Sequence, residues 1–135
     1  MIVIVVISIL GAIAFPSYME QTRKGKRAEG KAKLADAAQK LERYYTDKGT
    51  YTTSLGPLYG LSGTATVYSG VNNDTGSAYT ITAAAPSGST IAAGYVLTAT
   101  QNAGGHFSDP KCGNLTLTNT GVKGISGTGT VKDCW

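Results

Sequence analysis

MIVIVVISILGAIAF, residues 1–15, carries no charged side chain and runs straight into Pro16-Ser17-Tyr18 and a densely charged stretch. An oily segment must enter a membrane, pack into another subunit or be cut away, because water disfavours its apolar surface. As a helix it covers roughly 22 Å at about 1.5 Å per residue, short of the roughly 30 Å hydrocarbon core of a bilayer. Ala12-Ile13-Ala14 mimics the small-residue cleavage site of a secretory signal. However, no Lys or Arg precedes the run, and helix-forming sequence follows it. A cleaved signal is therefore the weaker reading. Ile and Val are mediocre helix formers in water, but in lipid a lone segment satisfies its backbone as a helix. Gly11 and Pro16 mark the weak point, since Pro16 lacks an N–H and its ring meets the carbonyl of Ala12. A kink or local unwinding is expected between them. Gly11, Ala12 and Ala14 are small enough for close approach of another helix.

Past Pro16 the chain reads as one helix to about Lys48, rich in Ala, Lys, Glu, Leu and Gln and free of Pro. Leu34, Ala38, Leu41 and Tyr45 fall at three- and four-residue steps, with Ala28, Ala32 and Ala35 on a neighbouring line. That stripe is expected to pack on a core. Upstream it gives way to Glu20, Arg23, Lys24, Lys26 and Arg27, so the first part of the helix should protrude. Gly49 is the expected C-terminal stop.

Beyond Gly49 the composition shifts to Gly, Thr, Ser, Ala and Tyr. Ala78–Ala84, Gly94–Gln101 and Asn114–Thr118 read as strands, and Ala65–Val71 as a further one, with a turn over Pro86–Ser89. Tyr95, Leu97 and Ala99 share one face, and Leu115 and Leu117 point together. The predicted class is α+β: a long N-terminal helix with a small antiparallel sheet laid on its stripe and one modest core. Cys112 and Cys134 have no C-x-x-C partner and only His106 as a candidate co-ligand, so a disulfide is the better reading than a metal site. A disulfide implies an oxidising compartment.

The formal net charge of +4 is unevenly placed. Residues 20–48 hold nine Lys/Arg against five Asp/Glu, while the rest of the chain holds three of each. Acids interleave with the bases, and no aromatic lies between Arg23 and Arg43, so direct nucleic-acid contact is not expected. Catalysis finds little support either. Ser108-Asp109-Pro110-Lys111 matches S-x-x-K in letters, but Pro110 predicts a loop where that chemistry needs a helical turn. Gly124, Gly127 and Gly129 are scattered turn glycines, and His106 beside Gly104-Gly105 is a loop residue. No cofactor is expected. Asn73-Asp74-Thr75 and Asn114-Leu115-Thr116 match the glycosylation pattern, which short sequences often do by chance.

The run MIVIVVISILGAIAFPSYMEQTRKGKRAEG resembles the N-terminal helix of bacterial type IV pilins, whose apolar tail ends in the Ala-Ile-Ala-x-Pro-x-Tyr pattern seen here from Ala12 to Tyr18. Lys111-Cys112-Gly113 and Asp133-Cys134-Trp135 are similar to the disulfide-bounded loop of small type IVa pilins. The family's processed form begins with a methylated Phe and a Thr-Leu-Ile-Glu-Leu-type stretch. The resemblance thus implies some six further tail residues before Met1, and the family's assembly glutamate has no counterpart at any position here.

The resemblance implies a subunit anchored in the inner membrane with its head in the periplasm, then passed by the pilus machinery into an extracellular homo-oligomeric helical filament. Residues 1–24 would be tail and protruding helix, and residues 25–135 the head. Ile4, Val5, Ile7, Ile9, Leu10, Ile13 and Phe15 would pack in the filament core. The helix would break at Gly11, Ala12, Ala14 and Pro16. Glu20, Arg23, Lys24, Arg27 and Glu29 would make charge contacts between subunits. The Cys112–Cys134 loop and the region around Gly56–Thr75 would set subunit contacts or adhesion. A minor pilin or pseudopilin that primes assembly, and a DNA-binding competence pilin, are the alternatives.

Overall fold

The computed structural model describes residues 2–135, the side chains of Ile2, Ile13, Ala14, Phe15 and Pro16 excepted. A single helix, α1, spans Ile2–Lys48. It ends where Gly49 takes a left-handed φ of 71° and donates its N–H to the Tyr45 carbonyl at 2.8 Å, which closes the last turn. Five strands follow: β1 (Val67–Tyr68), β2 (Tyr79–Ala84), β3 (Val96–Gln101), β4 (Leu115–Thr118) and β5 (Lys123–Ile125). They form an antiparallel meander in sequence order. A short helix, α2 (Val131–Cys134), closes the chain, its first turn capped by the Thr130 hydroxyl accepting from the Asp133 N–H.

The register carries one apolar row across the whole sheet. Val67 lies opposite Ile81, Ile81 opposite Ala99, Ala99 opposite Leu115, and Leu115 opposite Ile125. Because alternate side chains share a face, this row and its neighbours Tyr79, Tyr95 and Leu97 form the buried side.

The helix meets that face along Arg27, Gly30, Leu34, Ala37 and Leu41, all buried. This seam differs from the expected one. Ala38 is only half-buried, Tyr45 is 41% exposed, and Ala28, Ala32 and Ala35 face outward. The reason lies at Gly30 and Arg27. A Cβ at Gly30 would stand 2.8 Å from the Tyr79 ring, so its absence lets the sheet approach the helix backbone there. Arg27 extends the same line at three- and four-residue steps, which a pattern built on apolar residues passes over. Tyr45 instead stacks on Tyr51 at 4.5 Å between ring centroids.

α1 runs through Gly11 and Pro16 without interruption, so no local unwinding occurs there in the isolated chain. The side chains of Ala14 and Pro16 lie outside the described residues.

Candidate functional site

Two surfaces stand apart from the core: the bare N-terminal half of α1 and the disulfide loop at the far end of the sequence. Val3–Leu10 project no side chain onto the sheet. Ile4 is 69% exposed, and Val5, Ile7, Ile9 and Leu10 are likewise open. A contiguous apolar surface of this size is far from ordinary for a protein standing alone in water. α1 contains a stretch long and apolar enough to cross a membrane. Ile13 and Phe15, expected in the same apolar set, lie outside the described side chains.

The head is tied to the helix by charge as well as by packing. Arg27 is 3% exposed and Asp109 is 0% exposed. The Arg27 guanidinium donates from Nε to Asp109 Oδ2 and from Nη2 to Asp109 Oδ1, the latter at 2.9 Å, while its Nη1 donates to Glu20 at 3.2 Å. Burial alone would raise the Asp109 carboxyl, but Arg27 and the Cys112 N–H outweigh it and hold the group below the usual carboxylate range. Asp109 in turn holds the Arg27 guanidinium above its ordinary value. Around the carboxylate, the Asp109 N–H donates to Gln101 Oε1 and the Gln101 amide donates to the Asp109 carbonyl. The loop entering Cys112 is therefore fastened to both α1 and β3.

Arg27 is thus committed inside the subunit, which corrects its expected place among contacts with neighbours. A charge flanked by apolar packing reads in sequence like any solvated helix residue until its partner, 82 positions away, is known. The other expected charges lie nearer the surface. Lys24 is exposed. Arg23 donates from Nε to the Ser108 carbonyl at 3.2 Å. Glu29 accepts from Lys26 at 3.1 Å and from the Ser69 hydroxyl at 2.8 Å, and Glu20 belongs to Arg27.

Cys112 and Cys134 form a disulfide, both sulfurs buried at the edge of the core. Trp135 next to it donates from its indole N–H to the Gly124 carbonyl at 3.0 Å, which pins α2 against β5. Lysines gather around this corner. Lys31 donates to the Trp135 carbonyl at 3.3 Å, Lys123 lies 5.2 Å over the Trp135 ring, Lys111 sits 3.7 Å from Asp133, and Lys132 projects from α2. Of the three acids in residues 49–135, Asp109 is buried on Arg27 and Asp74 belongs to another loop, where it accepts from Gly76. Among the described residues, the third, Asp133, is the one that faces the lysines. Residues 49–135 are neutral by count but basic at this corner, a feature that a linear charge tally averages away.

The remaining candidates are quieter. Asn73 accepts from the Tyr68 N–H and donates to the Thr66 carbonyl, and Asn114 accepts from the Gln101 N–H, so both glycosylation-pattern amides are engaged in the fold. Ser108 and Lys111 lie on loop and turn, not on one face of a helix. Among the described residues no cluster of three or more His, Cys, Asp or Glu is placed to hold a metal ion.

The family described as "Type IV minor pilin ComP, DNA uptake sequence receptor" matches residues 16–116 of the chain. Among solved structures, the chain is similar to a type IV pilin from Shewanella oneidensis, with a TM-score of 0.50 and 25% identity over 83% of this chain and 96% of that one. No curated protein matches the chain.

Proposed function

Since the chain belongs to the type IV pilin family, in the line of the minor pilin ComP, we propose that it is a minor subunit of a type IV pilus whose disulfide corner contacts DNA during uptake. Residues 1–24 serve as tail, anchoring the subunit in the inner membrane and afterwards lying among neighbouring tails. Residues 25–135 form the head, periplasmic before assembly and extracellular after it. The helix loosens between Gly11 and Pro16 when the tail leaves lipid, because only there are a backbone hydrogen bond missing and a Gly present. Arg23, Lys24 and Glu29 meet charges of adjacent subunits. The role is one of scaffold and receptor, with no chemistry performed on a substrate.

The observation that carries the DNA reading is the lysine set Lys31, Lys111, Lys123 and Lys132 gathered around Trp135 with one facing acid. Phosphate neutralisation needs cations on one surface, whatever the charge of the domain as a whole. This revises the expectation that nucleic acid is not contacted directly. Fluorescence anisotropy of labelled duplex DNA with the full chain in nanodiscs tests it. Each lysine that neutralises a phosphate should contribute about 0.9 to the slope of log affinity against log salt. Replacing Lys111, Lys123 and Lys132 together by Gln should flatten that slope. A slope unchanged by the triple substitution would move DNA to another surface, and absence of any binding would leave the ordinary filament subunit as the better reading. That second reading is favoured by the exposed Val3–Leu10 surface alone, which every filament-forming subunit needs.

A further inference from the structure

At the junction of tail and head, a cleft of about 290 Å³ opens between α1 and the loop that follows β3. Tyr18, Met19, Thr22 and Arg23 supply the helix wall, and His106, Phe107 and Ser108 the loop wall. Met19 and Phe107 supply apolar lining. The polar groups around it are hydroxyls, an imidazole and one guanidinium, with no carboxylate in the lining. Arg23 is held by its Nε on the Ser108 carbonyl, and among the described residues its two terminal nitrogens have no hydrogen-bond partner. A guanidinium fixed at one end and free at its fork is preorganised for a two-oxygen anion such as a phosphodiester.

Position narrows the anion's source. The apolar run ends at Phe15, so Tyr18 lies about 5 Å and Arg23 about 12 Å further along the axis. The polar layer on each side of a bilayer is roughly 5–8 Å thick, and helix side chains lean toward the N-terminus, here toward the membrane. Arg23 can thus reach down to headgroup level, with Tyr18 at the depth where aromatic anchors collect.

We propose that this cleft seats the headgroup of an anionic phospholipid while the subunit waits in the membrane. Arg23 grips the phosphate, His106 and the Ser108 hydroxyl border it, and Met19 and Phe107 cover the glycerol and upper acyl chain. The proposal rests on the membrane-anchored reading of the tail. A seated lipid holds the head at a fixed height and tilt over the bilayer, and it must be given up when the subunit enters a filament.

The test reconstitutes the full chain in nanodiscs of mixed phosphatidylglycerol and phosphatidylcholine and counts retained lipids by native mass spectrometry. The wild-type chain should retain phosphatidylglycerol in preference to phosphatidylcholine. Arg23→Gln should lose about fivefold of that preference, the weight of one basic group at an anionic surface. Lys24→Gln, an exposed neighbour outside the cleft, should stay near wild type, and circular dichroism should show both variants folded. Equal losses for the two variants, or no preference in the wild type, would overturn the cleft and leave the anchor intact. A chain that fails to enter the nanodiscs at all would overturn the cleft and the anchor together.

Discussion

Arg27 and Asp109, 82 residues apart in sequence, meet in the interior as a two-pronged ion pair that clamps the long helix to the loop entering the disulfide. Both side chains are withdrawn from water, so the pair cannot be traded for hydration without opening the helix–sheet seam.

Removing Arg27 strands the buried Asp109 carboxylate, which typically costs about 3–5 kcal/mol, whereas removing the Asp109 charge leaves Arg27 its part-exposed contact with Glu20 and should cost less. Arg27→Met and Asp109→Asn should each lower the urea midpoint of unfolding accordingly. Replacing the pair together, Arg27→Met with Asp109→Leu, should recover much of the loss, since a well-packed apolar pair often replaces a buried salt bridge at little cost.

Acid should weaken the same clamp. Asp109 is depressed below its unfolded value of about 3.9, so its stabilisation is present above that value and is lost as pH falls through the folded one. Unfolding midpoints followed from about pH 6 to about pH 2 should fall in the lower part of that window, and Asp109→Asn should flatten this fall.

Gly30 is predicted to resist enlargement. Gly30→Ala would place a methyl 2.8 Å from the Tyr79 ring, and overpacking of this kind costs about 1–3 kcal/mol. The gain in helix propensity, about 1 kcal/mol, runs the other way, so the net loss seen in thermal melts should be modest. Gly25→Ala, with open space around its Cβ, should be stabilising and serves as the control.

Reducing Cys112–Cys134, or replacing both by Ser, should cost roughly 3 kcal/mol by the chain-entropy estimate for a loop of this length. The indole of Trp135 should lose its hydrogen bond to Gly124 in the same transition, giving a red-shifted fluorescence that reports the loop separately from the helix.

Much of this architecture is legible in the chain. Ala78–Ala84, Gly94–Gln101 and Asn114–Thr118 bracket β2, β3 and β4 because alternation is a local property, and Gly49 marks the end of α1 for the same reason. β5 is not legible, since Lys123-Gly124-Ile125 has too few apolar positions to show a period and owes its place to β4 beside it. Nor is α2, a single turn fixed by the Thr130 cap and the disulfide. Asp109 escapes notice because its role depends on Arg27 and Gln101, which only the folded chain brings to it. The lysine corner is hidden for a similar reason: Lys31, Lys111, Lys123 and Lys132 lie on four separate segments that only the folded chain brings together.

The central claim is that the bare apolar helix is covered by the tails of other pilus subunits. A photo-crosslinking amino acid in place of Ile7, which is 64% exposed, tests it on living cells by irradiation, shearing of surface pili and mass spectrometry of the adducts. Covalent links between position 7 and the apolar tails of neighbouring subunits are expected in the sheared fibres. Adducts confined to lipid, or a protein absent from the fibres altogether, would contradict it.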